Sequence, residues 1–119
     1  MLYLALIHAD EEAWLALDDD ARKQVYAGYR SLSEDAQAAG VLVDGAELAP
    51  TGAATTVRVR DGQTLVSDGP YAEVKESLGG YFLFECGSID EAVQWAARIP
   101  AAGAGGAVEV RPVHVQEEN

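Results

Sequence analysis

The run Leu2-Tyr3-Leu4-Ala5-Leu6-Ile7-His8 decides how the rest of the chain is read. Successive side chains of a strand alternate between its two sides. Leu2, Leu4 and Leu6 therefore point one way, and Tyr3, Ala5 and Ile7 the other. Both faces are apolar, the mark of a central strand covered on two sides. Helices of the same chain account for one side. The other calls for a further layer, such as a second subunit.

Residues 9–17 are acidic and break the alternation, with Trp14 and Leu15 anchoring a short helical turn. Asp18 then caps a long helix, and Asp19 and Asp20 sit at its positive end. Val25, Tyr29, Leu32, Ala36 and Ala39 form the buried stripe of that helix. Gly40 is its stop. Val41 to Leu48 reads as a second strand, with Asp44-Gly45 marking a bend or bulge. Pro50-Thr51-Gly52 is a loop. Thr55 to Arg60 alternates well, Asp61-Gly62 is a two-residue hairpin signal, and Gln63 to Ser67 returns antiparallel. Arg58 and Arg60 fall on one exposed face of that hairpin. Ser67 to Ser77 is a loop that closes on Gly79-Gly80, and Tyr81 to Cys86 is the second core strand. Ser88 and Glu91 make a capping box. The helix they open is expected to turn Ile89, Ala92, Val93 and Ala96 to the core and to end at Pro100. Residues 101–106 are a small-residue loop. Ala107 to Val115 is the last strand, with Val108 and Val110 inward and Glu109 and Arg111 outward. The tail at 116–119 is polar and expected to fray.

This order predicts an α+β fold: a ferredoxin-like βαββαβ unit with an extra β-hairpin, in one domain over 1–119. Both helices fall on one face of the sheet, so the other face is bare. An apolar bare face must be covered. Two such sheets are expected to pack face to face in a homodimer, a dimeric α+β barrel.

Composition narrows the function. The net charge is -12, from 20 acids against 8 bases. That argues against a nucleic-acid partner, because phosphate-backbone binding depends on Lys and Arg. Anionic membrane surfaces are disfavoured for the same reason. The longest apolar run, Leu2 to Ile7, is far short of the ~20 residues a membrane span needs. It has no basic flank and no cleavage site, so a cytoplasmic location is expected. The single cysteine, Cys86, excludes an intrachain disulfide and a multi-cysteine zinc site. On a core strand it reads as a small buried hydrophobe.

Several motifs carry a resemblance that covers nearly the whole chain. They are Asp68-Gly69-Pro70 with Tyr71 next, Ala72-Glu73, Lys75-Glu76, Gly79-Gly80, Asp90-Glu91-Ala92, Ala97-Arg98-Ile99-Pro100 and Glu109-Val110-Arg111-Pro112. With them the chain resembles the DGPF group of the YCII-related family. The resemblance implies a dimeric α+β barrel. One relative removes chloride from a chlorinated hydroxyhydroquinone. Other enzymes that share the barrel are lactone isomerases and cofactor-free monooxygenases. Many DGPF members are associated with extracytoplasmic-function sigma factors. The YCII proteins are thought to use a His–Asp pair with its histidine on the first helix. Residues 21–39 contain no histidine, so that pair does not carry over. His8 stands where relatives commonly have Tyr, and Tyr71 where Phe is usual.

The candidate site residues follow. Asp68 fits a general base at a strand end, and equally a turn-fixing carboxylate. Gly69 and Pro70 form the turn, and Gly69 lets a ligand approach the backbone. Tyr71 packs over a neighbouring element or lines a pocket. Glu73, Lys75 and Glu76 read as a solvated surface run. His8, with Asp10 two residues on, suits proton shuttling at a cleft mouth. His8, Asp10 and Glu11 or Glu12 match no recognised metal spacing, so no metal is expected. His114 reads as a surface residue. Ser67 and Ser77 read as ordinary loop serines without a nucleophile motif. No phosphate loop or dinucleotide fingerprint is present, and no cofactor is expected. The expectation is a small molecule bound between sheet and helices, with Asp68 and His8 as acid–base groups and Asp10, Gly69, Pro70 and Tyr71 around it. A cofactor-free lyase or isomerase is its most concrete form. The alternative is a non-catalytic accessory domain that docks a partner protein, as in sigma-factor regulation.

Overall fold

The computed structural model describes residues 1–115; the tail at 116–119 lies outside the described residues. The elements are β1 (Leu2–Asp10), α1 (Glu11–Leu15), α2 (Asp19–Ala38), β2 (Leu42–Glu47), a 3-10 turn (Thr51–Ala53), β3 (Thr55–Arg60), β4 (Gln63–Asp68), β5 (Glu76–Glu85), α3 (Ile89–Ala96), α4 (Pro100–Gly103) and β6 (Ala107–Pro112). Four strands form one antiparallel sheet in the order β2-β5-β1-β6, and β3 and β4 form a separate two-stranded sheet. This is the ferredoxin-like βαββαβ arrangement, with the hairpin inserted between β2 and β5.

β1 is central, as its double apolar face requires. It pairs with β5 from Leu2↔Glu85 to Asp10↔Glu76 and with β6 from Tyr3↔Pro112 to His8↔Ala107. Tyr3, Ala5 and Ile7 are buried with Phe82, Phe84, Leu32, Ala36, Ala92, Ala96 and Ile99, which defines the helix-covered side. Phe84, Leu32 and Ile99 are its largest fully buried side chains. Each contributes about 1.5–3 kcal/mol by leaving water. Leu2, Leu4 and Leu6 face the other way and are only half-buried.

The helix ends form as the local chemistry dictates. The Asp18 carboxylate accepts the Ala21 N–H at 2.8 Å. Gly40, at φ +72°, ends α2. The Val41 N–H reaches Ala36 O at 2.9 Å and the Gly40 N–H reaches Gln37 O at 3.0 Å, closing a Schellman turn. Asp61 (φ 52°) and Gly62 (φ 76°) supply the positive dihedrals of the hairpin turn. Val108 and Val110 pack against the core and Cys86 is buried within it.

Four expectations are corrected. First, β5 begins at Glu76 rather than Tyr81, so Glu76, Ser77, Gly79 and Gly80 are strand and Ser77 is buried. The reason is steric. A Cβ on Gly80 would lie 2.7 Å from the Ala46 carbonyl oxygen, so glycine is what lets β5 close on β2. Second, α3 is rotated. Ile89 and Val93 are 43% and 49% exposed, and Trp95 packs on the core beside Ala92 and Ala96. Two alanines bring the helix close to the sheet, and the Trp95 ring then reaches Phe84, 6.5 Å between centroids. Third, Pro100 opens α4 instead of ending α3. At the first helical position its missing N–H costs nothing. Fourth, the bulge in β2 falls at Val43, one residue before Asp44-Gly45.

Candidate functional site

Among the described residues, buried side chains pack the interface between sheet and helices. The open volume lies elsewhere, where the bare sheet face meets the base of the hairpin. A groove of ≈ 770 Å³ is lined there by His8 and Leu78 of the sheet, by the segment from Leu48 to Thr56, and by Pro70, Tyr71 and Val74 of the following loop. A smaller cleft of ≈ 380 Å³ is lined by Asp10, Glu11, Glu12 and Lys75, and shares Thr51, Val74 and Ser77 with the first. Most of the larger groove is apolar wall, the usual make-up of a small-molecule site.

Its walls are held by specific bonds. The Glu11 carboxylate accepts the Thr51 N–H at 2.7 Å and the Thr51 hydroxyl at 2.8 Å, which ties α1 to the 3-10 turn. Gly69 takes φ +100°, a conformation other residues rarely adopt. Its N–H donates to Ala54 O at 2.7 Å, and the Thr56 hydroxyl donates to Gly69 O at 2.9 Å. The turn before Pro70 is thereby clamped to the start of β3. Tyr71 is 77% exposed, and the Arg58 guanidinium carbon stands 5.2 Å from its ring centroid. The ring therefore both packs on the hairpin and lines the groove.

The acid–base candidates separate. His8 lies on the bare face and opens onto the groove. Its Nε2 is 3.4 Å from Glu109 Oε1, across the β1–β6 pairing. Asp10 has another task. Its Oδ1 accepts the Glu12 N–H at 3.0 Å and the Ala13 N–H at 3.4 Å as the N-cap of α1, and it borders only the smaller cleft. Asp68 is the exposed last residue of β4, opposite Thr55, and is not part of the groove wall. The structure thus brings His8, Pro70 and Tyr71 to one groove, with Gly69 holding its rim. Glu109, not Asp10 or Asp68, is the carboxylate beside the imidazole.

Sequence reasoning missed Glu109 because it lies 101 positions from His8 and only strand register brings the two together. Its outward alternation on the last strand was the available signal. A histidine beside a carboxylate, in the wall of a mostly apolar groove, can take up and return a proton. Among the described residues no group of three or more His, Cys, Asp or Glu side chains could hold a metal ion. No helix among them is long and apolar enough to cross a membrane.

Comparison with known proteins adds two findings. A family model described as YCII-related domain matches residues 1–116. An uncharacterized protein of Rhizobium meliloti (strain 1021) is 39% identical over 114 residues, which span 95% of this chain and 92% of that protein.

Proposed function

The chain belongs to the YCII-related family, and from that membership we propose that it binds a small molecule in the groove between the bare sheet face and the hairpin base. The observation that carries this reading is His8. It is an imidazole paired with Glu109 and open to a groove whose walls are mostly apolar. The apolar walls suit a small ring or chain, and the pair suits proton transfer to or from it. A cofactor-free lyase or isomerase is the activity this arrangement fits. In it, His8 moves the proton, Tyr71 and Pro70 bound the occupant, and Gly69 sets the loop. Asp68, the exposed end of β4 next to that turn, is the second acid–base group of this reading. Asp10 contributes by fixing α1 beside the smaller cleft. The protein acts as a single DGPF-type domain over 1–119, as a homodimer in the cytoplasm. The buried free thiol of Cys86 suits a reducing compartment.

A second reading is favoured by the hairpin. Val57, Val59 and Val66 share one of its faces and are 59%, 69% and 63% exposed. A non-catalytic accessory domain that docks a partner protein there, as in sigma-factor regulation, would use that face.

A thermal-shift screen of small aromatic and keto acids separates the two. At least one acid is expected to raise the melting temperature of the wild type. The rise is expected to vanish in His8→Ala and to fall in Asp68→Ala. No shift with any acid would remove the groove reading and leave the docking one.

A further inference from the structure

Ser77 reads as an ordinary loop serine, yet it is buried, at 8% exposure. The hydroxyls of Thr51, Thr56 and Ser88 all take part in hydrogen bonds. That of Ser77 has no partner among the described residues. Nor is it shut away from solvent, because every fully enclosed side-chain nitrogen or oxygen among the described residues is bonded. Its opening is toward the two clefts, for Ser77 stands in the wall they share. A nearly buried hydroxyl without a partner is unfavourable, and a polar group brought by a ligand relieves it.

The smaller cleft has charges that its own residues leave unsatisfied. Glu11 is committed to Thr51, with both of its oxygens accepting. Asp10 uses Oδ1 to cap α1. Its Oδ2 and the carboxylate of Glu12 accept nothing among the described residues. Lys75 lines the same cleft, and its ammonium is in no ion pair among the described residues. Opposite charges thus line one space of ≈ 380 Å³ without meeting. Past the wall of Thr51, Val74 and Ser77, the groove of ≈ 770 Å³ offers Leu78, Pro70 and Tyr71.

We propose that the two spaces form one site for an α-amino acid with an apolar side chain. Its ammonium sits against Glu12 and the free oxygen of Asp10. Its carboxylate takes the Lys75 ammonium and the Ser77 hydroxyl. Its side chain lies in the larger groove, against Leu78, Pro70 and Tyr71. Hydrogen bonds between ionised partners are the strong ones. The balance of charge selects the class of ligand. The cleft holds three carboxylates against one ammonium, so a simple carboxylic acid meets a surplus of its own sign. A simple amine leaves Lys75 and Ser77 without a partner. A zwitterion answers both. The proposal rests on the groove reading given above and adds to it the head group that the ligand carries.

Isothermal titration calorimetry of the full chain with L-phenylalanine, hydrocinnamate and phenethylamine tests it. The three share one ring and chain; the second lacks the amine and the third lacks the carboxylate. L-phenylalanine is expected to bind about tenfold more tightly than either. Glu12→Gln is expected to cost L-phenylalanine and phenethylamine about tenfold and to spare hydrocinnamate. Lys75→Met is expected to do the reverse, costing L-phenylalanine and hydrocinnamate about tenfold and sparing the amine. Ser77→Ala is expected to follow the pattern of Lys75→Met. A merely structural role would move all three compounds together. Glu12 and Lys75 are exposed, and circular dichroism checks that each variant folds. Tighter binding of hydrocinnamate or phenethylamine than of L-phenylalanine, or an equal loss of all three in the variants, would overturn the proposal. The two readings fail differently. If hydrocinnamate binds and L-phenylalanine does not, the groove reading stands and the amino-acid site falls. If none of the three binds and no acid of the thermal-shift screen does, both fall.

Discussion

At the scale of single residues, the positions that matter most are those where a backbone or a carboxylate has no freedom left. Gly80 is one. It reads as a loop ending in the sequence, yet its missing side chain is what lets β2 and β5 pair, with only 2.7 Å available between a Cβ and the Ala46 carbonyl oxygen. Gly80→Ala is therefore expected to destabilise the fold by about 1–3 kcal/mol. A urea titration would show a lower midpoint at an unchanged slope; an unchanged midpoint would mean that β2 moves aside freely. Asp10 teaches the opposite lesson. Its spacing from His8 suggests a proton relay, but a carboxylate at the end of a strand that runs into a helix is first a helix cap. Nothing in the residue type distinguishes the two roles. The N–H groups of Glu12 and Ala13 do, and they become neighbours only once α1 forms.

At the scale of elements, the central strands and the hairpin differ in what holds them. β1 and β5 are paired on both edges and buried on one face. β3 and β4 pair only with each other and are exposed along nearly their whole length. An isolated two-stranded hairpin is marginal in water. Hydrogen exchange is expected to show the amides of β3 and β4 opening well before those of β1 and β5. Gly62→Ala, at φ +76°, should weaken the hairpin turn by about 1 kcal/mol. Faster exchange is then expected in β3 and β4 with little change in β1. Loss of protection throughout the sheet would show instead that the hairpin is integral to the core. Element identity was legible from sequence for both sets, through alternation, Asp61-Gly62 and the caps. The rotated face of α3 was not. Its apolar residues include Ile89, Ala92, Val93, Trp95 and Ala96, enough to describe two different stripes. Only the close fit of Ala92 and Ala96 under the sheet chooses between them.

At the scale of the whole molecule, titration couples to folding through buried phenols and the thiol. Burial pushes the Tyr29 phenol above its ordinary value, partly offset by a hydrogen bond with the Ala101 backbone. Burial also pushes the Cys86 thiol up. The folded chain therefore holds these protons more tightly than the unfolded chain does. Their contribution is complete below the unfolded values, and it is lost as pH rises through the folded ones. Melting temperatures are expected to fall above about pH 10, with a shallower fall in Tyr29→Phe. An equally steep fall in that variant would assign the loss to other groups.

The sequence by itself determined the family, the order of the elements and the central place of β1, because alternation, capping and turn chemistry are local properties of short segments. It also showed that β1 is apolar on both sides and so must be covered twice. Tertiary structure alone decided which carboxylate stands beside His8, and that the groove opens on the side away from the helices. Both depend on strand register between residues far apart in the chain. A pairing shifted by one residue would have turned Glu109 to the opposite face.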